Sequence, residues 1–145
     1  LMHLQPEPGF RESYRIEGET VISVNDYRSG RFFEDAVCYA FYPVDLHTKN
    51  GVKPEPLKPG TVPTIPLSAL VPKGSKNIIV AGRCVSSDRL ANSGLRVQAP
   101  CMAMGQAAAC AAAIAAKDGT TPGAVPLAKL HALLKAHGAI VPEKA

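Results

Sequence analysis

Aromatic residues are missing from the second half of this chain, since all 4 Tyr and 4 Phe fall between Phe10 and Tyr42. That absence counts against binding of single-stranded nucleic acid, because the more basic half offers no ring on which a base could stack. Charge is scarce too, at 19% of positions, and the 13 Pro and 12 Gly follow no repeat period, which argues against collagen and solenoid arrays. The opening Leu1-Met2-His3-Leu4-Gln5-Pro6 has neither the charged nor the long apolar region of a secretion signal. The 4 cysteines (Cys38, Cys84, Cys101, Cys110) show no CxxC, zinc-type or iron-sulfur spacing. They are too sparse for a disulfide scaffold, so buried free thiols in a reducing, cytoplasmic setting are expected. Ser86-Ser87-Asp88 has no His at motif spacing, and a hydrolase triad has little support.

What is present points to a folded, loop-rich chain. Its 145 residues, 46% of them apolar, suffice for one modest core. The net charge of +4 is unevenly held: residues 1–60 carry 7 Lys/Arg against 9 Asp/Glu, and residues 61–145 carry 9 against 3. A small anionic ligand suits that basic half better than a nucleic acid does.

Residues 9–24, GFRESYRIEGETVISV, read as a hairpin or a pair of short strands around Glu17-Gly18-Glu19. Asn25-Asp26 can cap a short helical turn over residues 27–30. The aromatic run FFEDAVCYAFYPVDLH from Phe32 reads as core strand, limited by Pro43 to an edge or a break. Six prolines between Pro54 and Pro72 exclude an α-helix and predict a stiff, extended bridge. Asn77-Ile78-Ile79-Val80-Ala81-Gly82 has the pattern of a strand buried on both faces of a parallel sheet. A polar loop, Arg83 to Gly94, leads to Pro100, which suits a first helical turn. Residues 101–117, CMAMGQAAACAAAIAAK, are rich in the best helix former and lack a polar stripe, so the helix is expected to be buried nearly all round. The run is shorter and less apolar than a membrane span of about 20 residues. Gly119 is available as its left-handed cap. Residues 126–137 form an amphipathic surface helix, with Leu127, Leu130, Leu133 and Leu134 on one face and His131 and His137 on the polar side.

The sharpest constellation is a buried strand ending in Gly82, a polar loop, and a helix start that presents free N–H groups and about half a unit of positive charge. Such a start attracts anions or electron-rich carbonyls. The segment GRCVSSDRLANSGLRVQAPCMAMGQAAACAAAIAAKDG resembles the C-terminal flavin-proximal segment of FAD-dependent oxidoreductases of the fumarate-reductase and heterodisulfide-reductase-A-like superfamily. Arg11-Glu12-Ser13-Tyr14-Arg15-Ile16, Tyr42-Pro43-Val44-Asp45-Leu46-His47 and Leu70-Val71-Pro72-Lys73-Gly74 resemble that family in the same order.

The resemblance implies FAD as cofactor, an α/β fold belonging to the C-terminal part of an FAD/NAD(P)-binding fold, and oxidation or reduction of a small-molecule substrate. It implies that the Gly82 strand runs beneath the ribityl chain and that backbone N–H groups around Val97, Gln98 and Cys101 face the flavin N1 and C2 carbonyl edge. A helix dipole would there favour the negative charge of reduced flavin. Where many flavoproteins place an acidic residue after this glycine, the chain has Arg83, which can reach a pyrophosphate instead. Arg96 faces flavin or substrate, or else pairs with a carboxylate. His47 is a candidate acid/base or substrate contact, set against an ordinary structural histidine. Arg11 and Arg15 could hold an anionic substrate or pair with Glu12 and Glu17. Cys101, at the helix start, would have a lowered pKa if exposed, although Met102 and Met104 suggest burial.

The GxGxxG fingerprint of dinucleotide-binding units occurs nowhere in the 145 residues. The chain, which opens without an initiator Met, therefore reads as the C-terminal part of a longer enzyme whose upstream region supplies that motif. The organisation expected is a β-rich substrate-side segment with the Pro-rich bridge over residues 1–70, the flavin-side strand, loop and helix over 71–123, and a final helix and tail over 124–145. A homo-oligomer is allowed. The rival reading is a non-catalytic binding or assembly domain that packs its Ala-rich helix against a partner.

Overall fold

The computed structural model describes residues 11, 12, 14–48 and 50–144. The opening six residues, Gly9 and Phe10 of the expected first strand, and Ser13 lie outside the described residues. The elements are α1 (Val24–Ser29), β1 (Ala36–Tyr39), β2 (His47–Thr48), β3 (Gly51–Val52), β4 (Thr64–Pro66), α2 (Arg89–Leu95), α3 (Gln98–Asp118) and α4 (Leu127–Ala136), with 3-10 turns at Leu67–Ala69 and Pro122–Ala124. The class is mixed α/β, as the sequence indicated, with β1 antiparallel to β4 and β2 antiparallel to β3.

The expected hairpin at residues 9–24 is not formed. Ile16 to Ile22 instead threads between two other segments: Glu19 N–H donates to Val71 O and Thr20 N–H to Ser68 O, while Ile16 N–H reaches Cys84 O and Ile22 N–H reaches Ser86 O. Each of these partners lies more than 45 residues away, so the β-branched pattern marked extended chain correctly while its local pairing misled. Helix α1 follows, capped by Ser23 and not by Asn25-Asp26. Ser23 Oγ accepts from Asp26 N–H at 3.1 Å and the Asp26 carboxylate accepts from Ser23 N–H at 3.0 Å. Only the three-residue spacing lets both free donors be satisfied at once.

Within the Pro-rich stretch no α-helix forms, yet it does more than bridge. Strand β4 is buried throughout and pairs with β1, the strand within the aromatic run. Pro66 sits at the end of that short ladder, where its missing N–H disturbs little. The apolar run from Ile78 is a clear correction: residues 77–82 form no strand among the described residues, and Ile78 is 55% exposed. Its tie to the rest is Val80 N–H to Leu70 O, at 2.8 Å. A run of β-branched residues fixes an extended backbone, but a sheet needs neighbours on both edges.

The polar loop holds a helix that sequence reading missed. In α2, Asp88 is the N-cap, accepting from Ala91 N–H at 2.8 Å, and Ala91 through Leu95 are buried. Helix α3 begins at Gln98, so Pro100 lies in its first turn as expected, and Gly119 closes it in the left-handed conformation with φ 66°. It is not buried all round. Met104, Ala107, Ala108, Ala111, Ile114 and Ala115 face the core, whereas Met102 is 75% exposed. Alanine tolerates water on a helix surface at little cost, so its abundance reports helix and not burial. At 21 residues and a mean hydropathy of 1.4 over its most apolar window, α3 is long and apolar enough to cross a membrane, contrary to the shorter run read from sequence. One face of it packs on β1, α4 and the turn at Pro122–Ala124, the arrangement of a core helix. Helix α4 buries Leu130 and Leu134, as the spacing predicted. His131 departs from expectation, since its Nε2 lies 2.8 Å from Ala36 O and ties α4 to β1.

Candidate functional site

Helix α2 ends at Arg96, whose N–H closes on Asn92 O at 2.9 Å, and Val97 then turns extended with φ −77° and ψ 165°. That break lets α3 start afresh. Val97 offers no side-chain cap, so the N–H groups of Gln98 and Ala99 have no acceptor within the helix. Pro100 has none to offer, and Cys101 N–H is committed to Val97 O at 3.1 Å. The free donors at this helix start are therefore those of Gln98 and Ala99.

These donors open on a cleft of about 610 Å³ lined by Arg11, Tyr42, Asp45, His47, Arg83, Arg96, Val97, Gln98, Ala99 and Cys101. Four separate stretches of sequence meet there. Of the residues singled out from sequence, His47, Arg83, Arg96, Val97, Gln98 and Cys101 all line the cleft. Gly82 stands beside it: a Cβ built on Gly82 would lie 3.9 Å from Cys101 Sγ, an ordinary contact. Steric room is thus not what requires glycine there; a φ of 88° is.

Arg96 is 7% exposed at its side chain, donates through one terminal nitrogen to Asp45 O at 3.1 Å, and holds the other 3.7 Å from Glu12. The guanidinium pairs with a carboxylate, one of the two alternatives weighed from sequence, and also borders the cleft. Glu12 bonds Arg89 as well, at 2.7 Å, so one acid is shared by two cations. Arg15 belongs to the scaffold, donating from Nε to Ser87 O. Burial pushes the Cys101 thiol up; Arg83 opposes the shift and Cys84 adds to it. The lowered pKa imagined for an exposed helix-start thiol does not arise, because desolvation of the thiolate outweighs the cation. The Ser86-Ser87-Asp88 cluster is structural: Ser86 Oγ accepts Gly18 N–H, and Asp88 accepts the N–H groups of Val24 and Ala91.

Asp45 went unweighed in the sequence, though it stands two residues before His47 on extended chain, a spacing that places both side chains on one face. Its Oδ2 lies 3.6 Å from His47 Nε2. Ala99 and Tyr42 were missed as well. No motif marks Ala99, whose contribution is a backbone N–H, and Tyr42 is placed through its carbonyl, which accepts from the buried Tyr27 hydroxyl at 2.8 Å.

The lining suits an anionic or carbonyl-rich ligand: among the described residues it combines three arginines, a histidine and the start of α3 with a single acidic residue, Asp45. A flavin's pyrimidine edge and a pyrophosphate are both of that chemistry. An α/β protein with an anion-accepting cleft at a helix start is the class defined by this arrangement. The family model described as FAD dependent oxidoreductase matches residues 1–134, and the chain belongs to that family. Comparison with curated proteins and with solved structures found no significant match.

Proposed function

We propose that this chain supplies the flavin-facing wall of an FAD-dependent oxidoreductase of the fumarate-reductase and heterodisulfide-reductase-A-like kind. The observation that carries the reading is the convergence of Arg83, Arg96, His47 and the start of α3 on one cleft. Bound FAD would supply hydride or electron transfer at its N5. The residues around it have separable roles. Gln98 and Ala99 N–H groups hold the electron-rich edge of the ring, aided by the α3 dipole. Arg83 meets phosphate, and Gly82 lets the chain turn beside the cofactor. Arg96 and His47 face a small-molecule substrate, Arg96 as a fixed cation and His47 as acid or base, while the Cys101 thiol borders the ring side. The reading includes a dinucleotide-binding region with a GxGxxG turn outside these 145 residues, and a reducing, cytoplasmic setting that matches four unpaired cysteines.

The test is Gln98→Asp. An acid at the first helical position suits the helix dipole and leaves thermal stability unchanged or slightly higher, while its charge repels the anionic cofactor. FAD affinity, read by flavin absorbance and thermal shift in the chain joined to its dinucleotide-binding region, is expected to fall about tenfold. Equal affinity in Gln98→Asp and the parent would remove the flavin from this cleft. The rival reading, an assembly domain, is favoured by Phe41, Met102 and Ile140, which stand 71%, 75% and 81% exposed around an apolar groove. A parent protein that stays colourless with added FAD and shows no thermal shift would support that rival.

A further inference from the structure

Asp45 is held to the scaffold entirely through its backbone. Its N–H donates to Ser93 Oγ at 2.9 Å, and its carbonyl accepts from Arg96 at 3.1 Å. Ser93 is itself buried and passes its hydroxyl proton to Leu90 O. The carboxylate does none of this work. Oδ1 is buried with no hydrogen-bond partner, and Oδ2 has His47 Nε2 as its neighbour at 3.6 Å. With 17% of the side chain exposed, a carboxylate so placed costs free energy that the fold does not recover through hydrogen bonds. An unrepaid acid at a cleft wall is a mark of function and not of stability.

We infer that Asp45 is a positioning residue that sets the protonation geometry of His47. The inference rests on the proposed role of His47 as acid or base. A negative charge beside Nε2 keeps the ring proton on that nitrogen and stabilises the ring when it becomes cationic. The His47 ring makes no hydrogen bond among the described residues, so Nδ1 remains available to the cleft. The proton exchanged with substrate then passes at Nδ1: a neutral substrate O–H or a cationic N+–H loses its proton to the lone pair there, leaving an anionic oxygen or a neutral nitrogen, and the imidazolium so formed lies beside the Asp45 carboxylate. The other polar side chains lining that cavity are those of Arg11, Arg83, Arg96, Tyr42, Gln98 and Cys101.

The test is Asp45→Asn, which keeps both backbone bonds and removes the charge. NMR of the ring nitrogens of His47 in the neutral state reads the ratio of Nε2–H to Nδ1–H forms. We expect an excess of Nε2–H over an unconstrained histidine peptide in the parent, falling by roughly threefold or more in Asp45→Asn, with thermal stability held or slightly raised. Asp45→Glu should restore part of the excess. A parent ratio equal to that of the histidine peptide would overturn the inference even if no variant folded, as would a ratio identical in parent and Asp45→Asn. Flavin binding is a separate readout: its loss in Gln98→Asp concerns the helix start alone, so failure of the tautomer test and failure of the flavin assignment are distinguishable.

Discussion

Tyr27 and Cys38 show how single buried groups make this fold sensitive to alkali. Burial pushes the Tyr27 hydroxyl up to about 12 against an ordinary 10, opposed in part by its hydrogen bond to Tyr42 O. Burial alone pushes the Cys38 thiol up to about 12 from 9. Both groups are acids that stay protonated in the folded state and ionise more readily when unfolded. Their contribution is therefore complete below the unfolded values and is lost as pH rises, from 9 to 12 for Cys38 and from 10 to 12 for Tyr27. A two-unit shift corresponds to about 2 to 3 kcal/mol. Urea unfolding across this range should show stability falling steeply. Tyr27→Phe should flatten the decline above pH 10 and Cys38→Ala the decline that begins near pH 9; parent-like slopes in both variants would refute this account.

At the scale of elements, Asp88 governs the geometry of the cleft from outside it. One carboxylate caps α2 through Ala91 N–H at 2.8 Å and also accepts Val24 N–H at 2.6 Å. The starts of α1 and α2 are thus fastened together, and α2 ends on Arg96. Asp88→Ala should cost about 2 to 3 kcal/mol, about 1 from the lost cap and the remainder from the unpaired Val24 N–H. A fall of several degrees in the melting midpoint is expected, accompanied by weaker FAD binding because Arg96 is no longer fixed. Unchanged binding in a destabilised Asp88→Ala protein would mean that α2 does not position Arg96 for a ligand. Helix α2 was hidden in the sequence because Arg89-Leu90-Ala91-Asn92-Ser93-Gly94-Leu95 mixes good and poor helix formers over only 7 residues, too short to form without tertiary packing. Helix α3 was legible because its alanines form helix in almost any surroundings. Which of its faces is buried was not, since alanine has no amphipathic preference.

For the molecule as a whole, the uneven charge gains a location. Two of the cleft's three arginines, Arg83 and Arg96, come from the basic second half, while Arg11, Asp45 and His47 come from the first. The cations are not removed from water to the same degree: Arg83 is exposed and Arg96 is buried. Salt should therefore screen the first more than the second. Raising ionic strength from about 0.05 to 0.5 M is expected to weaken FAD binding several-fold. Most of that dependence should disappear in Arg83→Gln and persist in Arg96→Gln, as read by isothermal titration with FAD. A salt response identical in the two variants would contradict the division. The cleft's membership was legible in good part, since seven of the residues weighed from the sequence, Arg11 among them, line it; its anchoring through Ser93 and Glu12 was not, because those partners stand 48 and 84 residues away.

The amino-acid sequence by itself determined the helices whose signals are local, α1, α3 and α4, together with the glycine that closes α3 and the resemblance to FAD-dependent oxidoreductases, the family whose model matches residues 1–134. Propensity, capping and amphipathic spacing act within a few residues and need no partner to be read. Tertiary structure alone decided what pairs with what: that residues 16–22 run between two distant segments, that the Pro-rich stretch completes a buried strand pair, and that residues 77–82 stay extended without a ladder. It also decided that Asp45 leans on His47 with no other partner for its carboxylate. The physical reason is common to all of these. Strand pairing, burial and the company of a charge are properties of two surfaces brought together, and a chain specifies only one of them at each position.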